Sequence, residues 1–210
     1  MTPAEQIAQW ADAIRDMSAT GLHFAHDPYD EERYRALQDM AMAMLAYATA
    51  EPLESFAPLR APIFSRPTPL CVADGALIDD DGRIMLIQRA DNGRWALPGG
   101  ALNVGETAAE GAMRELLEET GVHAAPRALV GLFDSRRHNP QSRHHLYCSV
   151  FLCRRSAEPD VAPHHAAETL DVRWFAEDAL PPLDAMQSNH PMRIAESYRV
   201  WRGDARPYFD

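Results

Sequence analysis

The fold class that the sequence predicts is a mixed α/β domain preceded by a small helical hairpin, and three observations predict it. Apolar residues recur at helical spacing through the first fifty positions. Past a proline-rich stretch the apolar period shortens to that of strands, and the strand candidates surround one strongly marked helix. With 210 residues and 23.4 kDa, the chain has room for one large domain, or for one ordinary domain and a small appendage, the division the change of period favours. Hydrophobic residues at 46% and charged residues at 24% describe a globular chain with a core, and exclude a disordered or fibrous one.

Thr2-Pro3-Ala4-Glu5 combines an N-cap, a first-turn proline and a capping-box glutamate, and Ile7, Trp10, Ala11, Ile14 and Met17 then mark one face up to Gly21. Asp27-Pro28-Tyr29-Asp30 starts a second helix, with Tyr34, Leu37, Met40, Ala41, Met44, Leu45 and Ala48 along its stripe. Two helices cannot bury both stripes alone, so residues 1–50 are expected to pack on the rest of the chain, on a second subunit, or on both, and to mediate a homodimer. Met40 to Met44 reads either as adaptable packing or as a binding surface. Prolines 52, 58, 62, 67 and 69 disfavour continued helix, which marks 51–69 as a linker.

From residue 70 the signals are those of strands. Leu70–Ile78 and Ile84–Gln88 flank Asp79-Asp80-Asp81-Gly82-Arg83, whose Asp-Gly step suits a tight turn. Further strands are expected at Ala128–Asp134, His145–Cys153 and Asp171–Phe175. Thr107, Glu110 and Gly121 supply cap, capping box and stop for a helix over 108–120.

A net charge of −11 disfavours nonspecific nucleic-acid binding. All twenty basic residues are Arg, so side-chain recognition of phosphate must rely on guanidinium groups. Cys71, Cys148 and Cys153 show no zinc-like pairing, and Cys148 and Cys153 should face opposite sides of one strand. No signal peptide or membrane-spanning run is evident, and a cytoplasmic setting is expected.

On the predicted helix Ala109, Ala112, Met113, Leu116 and Leu117 form an apolar arc, whereas Glu115, Glu118 and Glu119 converge on another. Ala108 and Gly111 share the acidic arc and would leave room for a ligand above the helix N-terminus. Convergent carboxylates suit a hard divalent cation, Mg²⁺ or Mn²⁺, although three glutamates alone also describe a solvated face.

The spacing narrows this choice. Gly100, five residues, Glu106, seven residues, then Arg114-Glu115-Leu116-Leu117-Glu118-Glu119-Thr120-Gly121-Val122 matches the Nudix box at every defined position. Seven fixed residues would coincide on the order of once in 10⁸ windows at ordinary usage. The chain thus resembles the Nudix hydrolases, and Trp95 to Gly100 resembles the strand that leads into their box. The N-terminal helical pair looks like the domain preceding the Nudix fold in a subfamily that includes ADP-ribose and CDP-choline pyrophosphatases.

The resemblance implies an α/β/α sandwich with a mixed sheet over 70–210, and metal-dependent cleavage of a nucleoside diphosphate linked to another moiety. Glu115, Glu118 and Glu119 are then the metal ligands, joined by the Gly99 carbonyl, and Arg114 braces the carboxylates. The general base is Glu118 or Glu168, the latter also readable as a solvated loop residue. Arg89 and Trp95 are candidates for the substrate cleft or for rim and core packing. Arg136, Arg137 and His145, part of an Arg- and His-rich turn, either handle a phosphate or ribose or are ordinary loop charges. Two competing activities are removal of pyrophosphate from nucleoside triphosphates or RNA 5′ ends, and nucleotide sensing without catalysis. No helix-turn-helix signal precedes the box, and sensors commonly lose a box carboxylate, whereas all three are present here.

Overall fold

The computed structural model describes residues 2–65, 69–138, 146–164 and 167–210. The chain forms two compact units, one of residues 1–68 with 103–105, the other of 69–102 with 106–210. Among the described residues no helix is long and apolar enough to cross a membrane.

In the first unit α1 spans Pro3–Phe24 and α2 spans Pro28–Thr49. Thr2 Oγ1 accepts the Glu5 amide at 3.2 Å while the Thr2 amide donates to Glu5 at 2.7 Å, which closes the capping box. Asp27 accepts the Tyr29 and Asp30 amides, both at 2.9 Å. Helix α1 runs a turn past Gly21, the expected stop. Gly21 has a different use, since the Tyr34 ring lies where a β-carbon would project.

The proline-rich stretch departs from the expected linker. It folds into 3₁₀ turns at Leu53–Ser55 and Ala57–Leu59 and a π turn at Arg60–Phe64. Pro52 and Pro58 stand at the start of the 3₁₀ turns, where a missing amide costs nothing. The return buries Phe56 and Phe64 against Ala41, Met42 and Ala46, and Gln38 donates to the Phe64 carbonyl at 2.9 Å. Trp10 and Met17 remain 56% and 60% exposed.

The second unit holds two sheets. Strands β1 (Leu70–Leu77), β4 (Gly99–Ala101), β5 (Ala124–Asp134), β6 (Leu146–Arg155) and β8 (Tyr208–Phe209) form a mixed sheet ordered β4-β1-β6-β5-β8. Strands β2 (Arg83–Arg89), β3 (Trp95–Ala96) and β7 (Thr169–Ala176) form an antiparallel sheet ordered β3-β2-β7. The box helix α3 spans Ala108–Thr120, with the Thr107–Glu110 capping box and Gly121 at φ 73°. A single turn, α4 (Ser135–His138), follows β5, and α5 occupies His190–Trp201.

Two apolar clusters bind these layers. On one side Leu116 of α3 packs with Leu77, Met85, Val122 and Cys153. On the other, Ile194 and Tyr198 of α5 pack with Leu86, Leu97, Phe133, Cys148 and Val150. Alternation along β6 therefore sends Cys148 and Cys153 to opposite clusters, and both are free thiols. Sheet between helices is the α/β/α sandwich. Truncating the fully buried Leu116 to alanine would cost roughly 2–5 kcal/mol.

Candidate active site

Helix α3 carries most of the site. Its buried residues are Gly111, Ala112, Leu116 and Glu119, so the last box glutamate stands at the margin of the core-facing arc. Glu119 is only 5% exposed. Burial pushes its carboxyl up to about 8, the Gly99 amide opposes that rise, and the charges of Glu115 and Asp74 add to it. The Gly99 amide donates to Glu119 Oε2 at 2.8 Å.

Glu115 and Glu118 are held differently. Arg114 Nη1 donates to Glu115 at 2.8 Å and to Glu118 at 3.0 Å. Its Nε and Nη2 fork onto Glu106 at 3.0 and 2.7 Å, and Nη2 also reaches the Ala101 carbonyl at 3.0 Å. The hydrogen bond to Glu106 leads the causes that raise the Arg114 pKa. A single guanidinium thus bridges Glu106, Glu115 and Glu118. Glu106 matches the box in sequence, but its partnership with Arg114 was not among the expected roles. The eight-residue offset from Glu106 to Arg114, crossing a loop and two helical turns, conceals it.

Glycines admit this packing. A β-carbon on Gly100 would lie 2.5 Å from a Glu115 carboxylate oxygen. Gly111, expected to leave room for a ligand, instead receives the Leu102 side chain, with Glu106 Oε1 3.0 Å from where its β-carbon would be. The space beside Gly111 is thus taken by Leu102 and Glu106.

A cleft of about 380 Å³ opens beside Glu119, with Arg89, Ala90, Asp91, Ala167 and Glu168 among its walls. The carbonyl of Glu168 accepts the Ala90 amide at 2.9 Å, which ties the two loops together. The β2–β7 register shifts between Gln88 and Arg89, at the end of β2 where Arg89 joins the cleft wall. Its guanidinium forks onto Asp91 at 3.0 and 2.9 Å.

The other expected substrate residues lie elsewhere. Trp95 is 9% exposed and packs edge-on against Phe175 with ring centroids 4.9 Å apart, so core packing accounts for it and it offers no free stacking face. Arg136 and Arg137 are exposed on α4 and are not among the residues lining the cleft. His145 lies outside the described residues.

The residues that sequence reading missed sit beneath the site. Arg193 of α5 donates from Nη1 to Asp74 Oδ2 at 2.8 Å. His190 Nδ1 accepts the Leu97 amide at 2.9 Å, and burial pushes its imidazole down to about 3. An Asn189-His190-Pro191 start followed by Ile194, Tyr198 and Trp201 was a legible helix signal for α5. Nothing local in the sequence joins Asp74 to a residue 119 positions away.

Among the described residues no three His, Cys, Asp or Glu side chains stand preformed around a cation position. The donor set nevertheless fits a hard cation. It is all oxygen, and it includes the desolvated Glu119 carboxyl, which among the described residues has no cationic side chain in hydrogen-bond contact.

A glycine-lined strand end facing a glutamate-rich helix, on an α/β/α sandwich, is the arrangement expected of the phosphoanhydride hydrolases that carry the Nudix box. The chain belongs to the Nudix family: the NUDIX domain matches residues 69–195. Residues 5–59 match the UDP-X-like, N-terminal oligomerisation domain. A Bacillus subtilis protein provisionally named ADP-ribose pyrophosphatase YjhB is 30% identical over 205 residues, 95% of each chain. Among solved structures, a UDP-X diphosphatase is 28% identical with a TM-score of 0.61 and is matched over 100% of both chains. An ADP-ribose pyrophosphatase of Streptococcus suis is 27% identical with a TM-score of 0.57, covering 68% of this chain and 100% of its own.

Proposed function

We propose that this Nudix pyrophosphohydrolase cleaves the diphosphate of a nucleoside diphosphate linked to a sugar or alcohol, of the ADP-ribose, CDP-choline or UDP-X type. The products are a nucleoside monophosphate and a phosphorylated remainder. The observation that carries this reading is the coexistence of the complete acidic helix, Glu115, Glu118 and Glu119, with an N-terminal segment of the UDP-X-like kind. YjhB and the UDP-X diphosphatase, matched over 95% and 100% of this chain, bear names of that substrate class.

Glu115, Glu118 and Glu119, with the Gly99 backbone, would hold Mg²⁺ or Mn²⁺. When bound, such ions neutralise diphosphate oxygens and acidify an attacking water. Arg114 fixes Glu115 and Glu118, and the Gly99 amide fixes Glu119. Arg89, held flat by Asp91 at the cleft wall, takes a phosphate oxygen of the substrate. The proton of the attacking water goes to Glu168. Residue Glu168 lines the same cleft as Glu119, whereas a Glu118 oxygen is already occupied by Arg114.

The assembly is a homodimer through the N-terminal helices, and on α1 the outward residues Trp10, Met17 and Phe24 recur every seven positions. Light scattering at micromolar concentration should give twice the chain mass. A monomer there contradicts the assignment.

The substrate class is tested by incubating the protein with ADP-ribose, CDP-choline, UDP-sugars, dinucleotides and nucleoside triphosphates in Mg²⁺ or Mn²⁺ and identifying the products. Nucleoside monophosphate from a linked diphosphate is expected. Inorganic pyrophosphate from triphosphates, with ADP-ribose left intact, would overturn the reading.

A further inference from the structure

We propose that Asp74 and Arg193 are positioning residues that hold the Gly99–Glu119 contact in place from behind, tying α5 to the strand end on which the acidic helix leans. Asp74 lies directly opposite Gly99 in the β1–β4 register. Its Oδ1 packs so closely on Gly99 that a β-carbon there has no room. Its Oδ2 receives Arg193 at 2.8 Å, with both side chains about 5–6% exposed. The front of Gly99 donates to Glu119, so one residue is clamped between a buried ion pair and a box carboxylate.

The neighbouring backbone is held in the same way. His190, one turn before Arg193, takes the Leu97 amide, and the Gly75 amide donates to the Pro98 carbonyl at 2.9 Å. Residues 97, 98 and 99 are therefore each gripped in succession, two of the three with help from α5. Cys148 lies against the same carboxylate; burial first, then the Asp74 charge, pushes its thiol well above the ordinary range and keeps it neutral.

Stability alone is a poor reason for such a pair. Desolvating two charges commonly costs as much as their attraction returns, and apolar replacements are often neutral or better. Moreover, Arg193 Nε is buried without a hydrogen-bond partner among the described residues. What an apolar pair would not supply is a carboxylate fixed against the back of Gly99. Partners that orient a ligand from behind typically change metal affinity 10- to 100-fold when removed.

The inference rests on the reading of Glu119 as a metal ligand only in its last step, and the experiment separates the two. The full-length protein is prepared as Asp74→Ala/Arg193→Met, which removes both charges together and strands neither, and as Arg193→Lys. Amide exchange in the metal-free protein is followed at Gly99 against core amides of β6 such as Val150, and Mn²⁺ affinity is measured by electron paramagnetic resonance. The double variant is expected to exchange Gly99 at least tenfold faster while Val150 keeps its protection, and to bind Mn²⁺ 10- to 100-fold more weakly. Arg193→Lys should recover part of both. Unchanged Gly99 exchange in a folded double variant would overturn the proposal. Faster exchange with unchanged Mn²⁺ affinity would uphold the clamp and overturn Glu119 as a ligand. Should the double variant not fold, Asp74→Asn is read on the same amide, and an unchanged rate there also overturns the proposal.

Discussion

Gly100 and Glu115 meet so closely that a single methyl group at residue 100 would stand 2.5 Å from the carboxylate. The strand end and the helix are thus fitted without a spare atom between them. Gly100→Ala must push Glu115 aside, and a displacement near 1 Å at a reacting centre costs about 100-fold. We expect kcat/KM to fall by roughly that factor while circular dichroism retains the native spectrum.

Arg114 sets the second prediction, because one guanidinium satisfies Glu106, Glu115 and Glu118. Arg114→Lys keeps the charge but loses the fork. Activity should drop about 10- to 100-fold in the lysine variant, as for other groups that orient metal ligands, and further in Arg114→Ala. Steady-state kinetics across a Mg²⁺ series reads both, and wild-type rates in the lysine variant would remove Arg114 from the machinery.

The base is distinguished by paired substitutions. Glu168→Gln should lower kcat by about 10²- to 10⁴-fold with little change in Mn²⁺ affinity, the usual worth of a general base. Glu118→Gln should weaken Mn²⁺ binding. If Glu118→Gln leaves affinity intact and flattens the pH–rate profile, the proton goes to Glu118 instead.

How much of this was legible in the sequence follows from range. The caps of α1, α2 and α3 are local, each spanning four residues, and Thr2, Asp27 and Thr107 announced them. The three box glutamates share an arc by helical geometry alone. What stayed hidden needed tertiary placement: Leu102 filling the space at Gly111, the return of Phe56 and Phe64 over α2, and α5 beneath β1. Trp95 shows the ambiguity directly, since an aromatic beside a glycine-rich loop reads equally as stacking surface or core until its neighbour Phe175 is known.

His190 gives a pH dependence of defined sign. Its imidazole falls from 6.5 to about 3 on folding because burial disfavours the cation. Between those values the unfolded chain binds a proton that the native one refuses, so stability declines as pH falls below 6.5, by at most about 1.4 kcal/mol per unit from this group. Glu119, raised to about 8, contributes with the opposite sign above its ordinary 4.5, so the His190 slope is read as the difference between wild type and His190→Gln, whose amide oxygen is placed to accept from Leu97, in urea melts from pH 7 to 4.

Thiol chemistry follows burial. Cys71 is exposed, Cys148 and Cys153 are buried, and burial raises the Cys153 thiol to about 12. Ellman's reagent should count one thiol in the native protein and three in denaturant.

The bridge from Arg114 to three glutamates also bears on how the protein is made. Many small metal-binding folds leave the ribosome as unstructured chains that wait for their ion. Here an internal cation already offsets much of the acidic crowding, and apolar clusters on both sides of the sheet supply the cohesion. A chain made without metal is therefore expected to fold on its own cohesion, and its thermal melting in EDTA should remain a single cooperative transition.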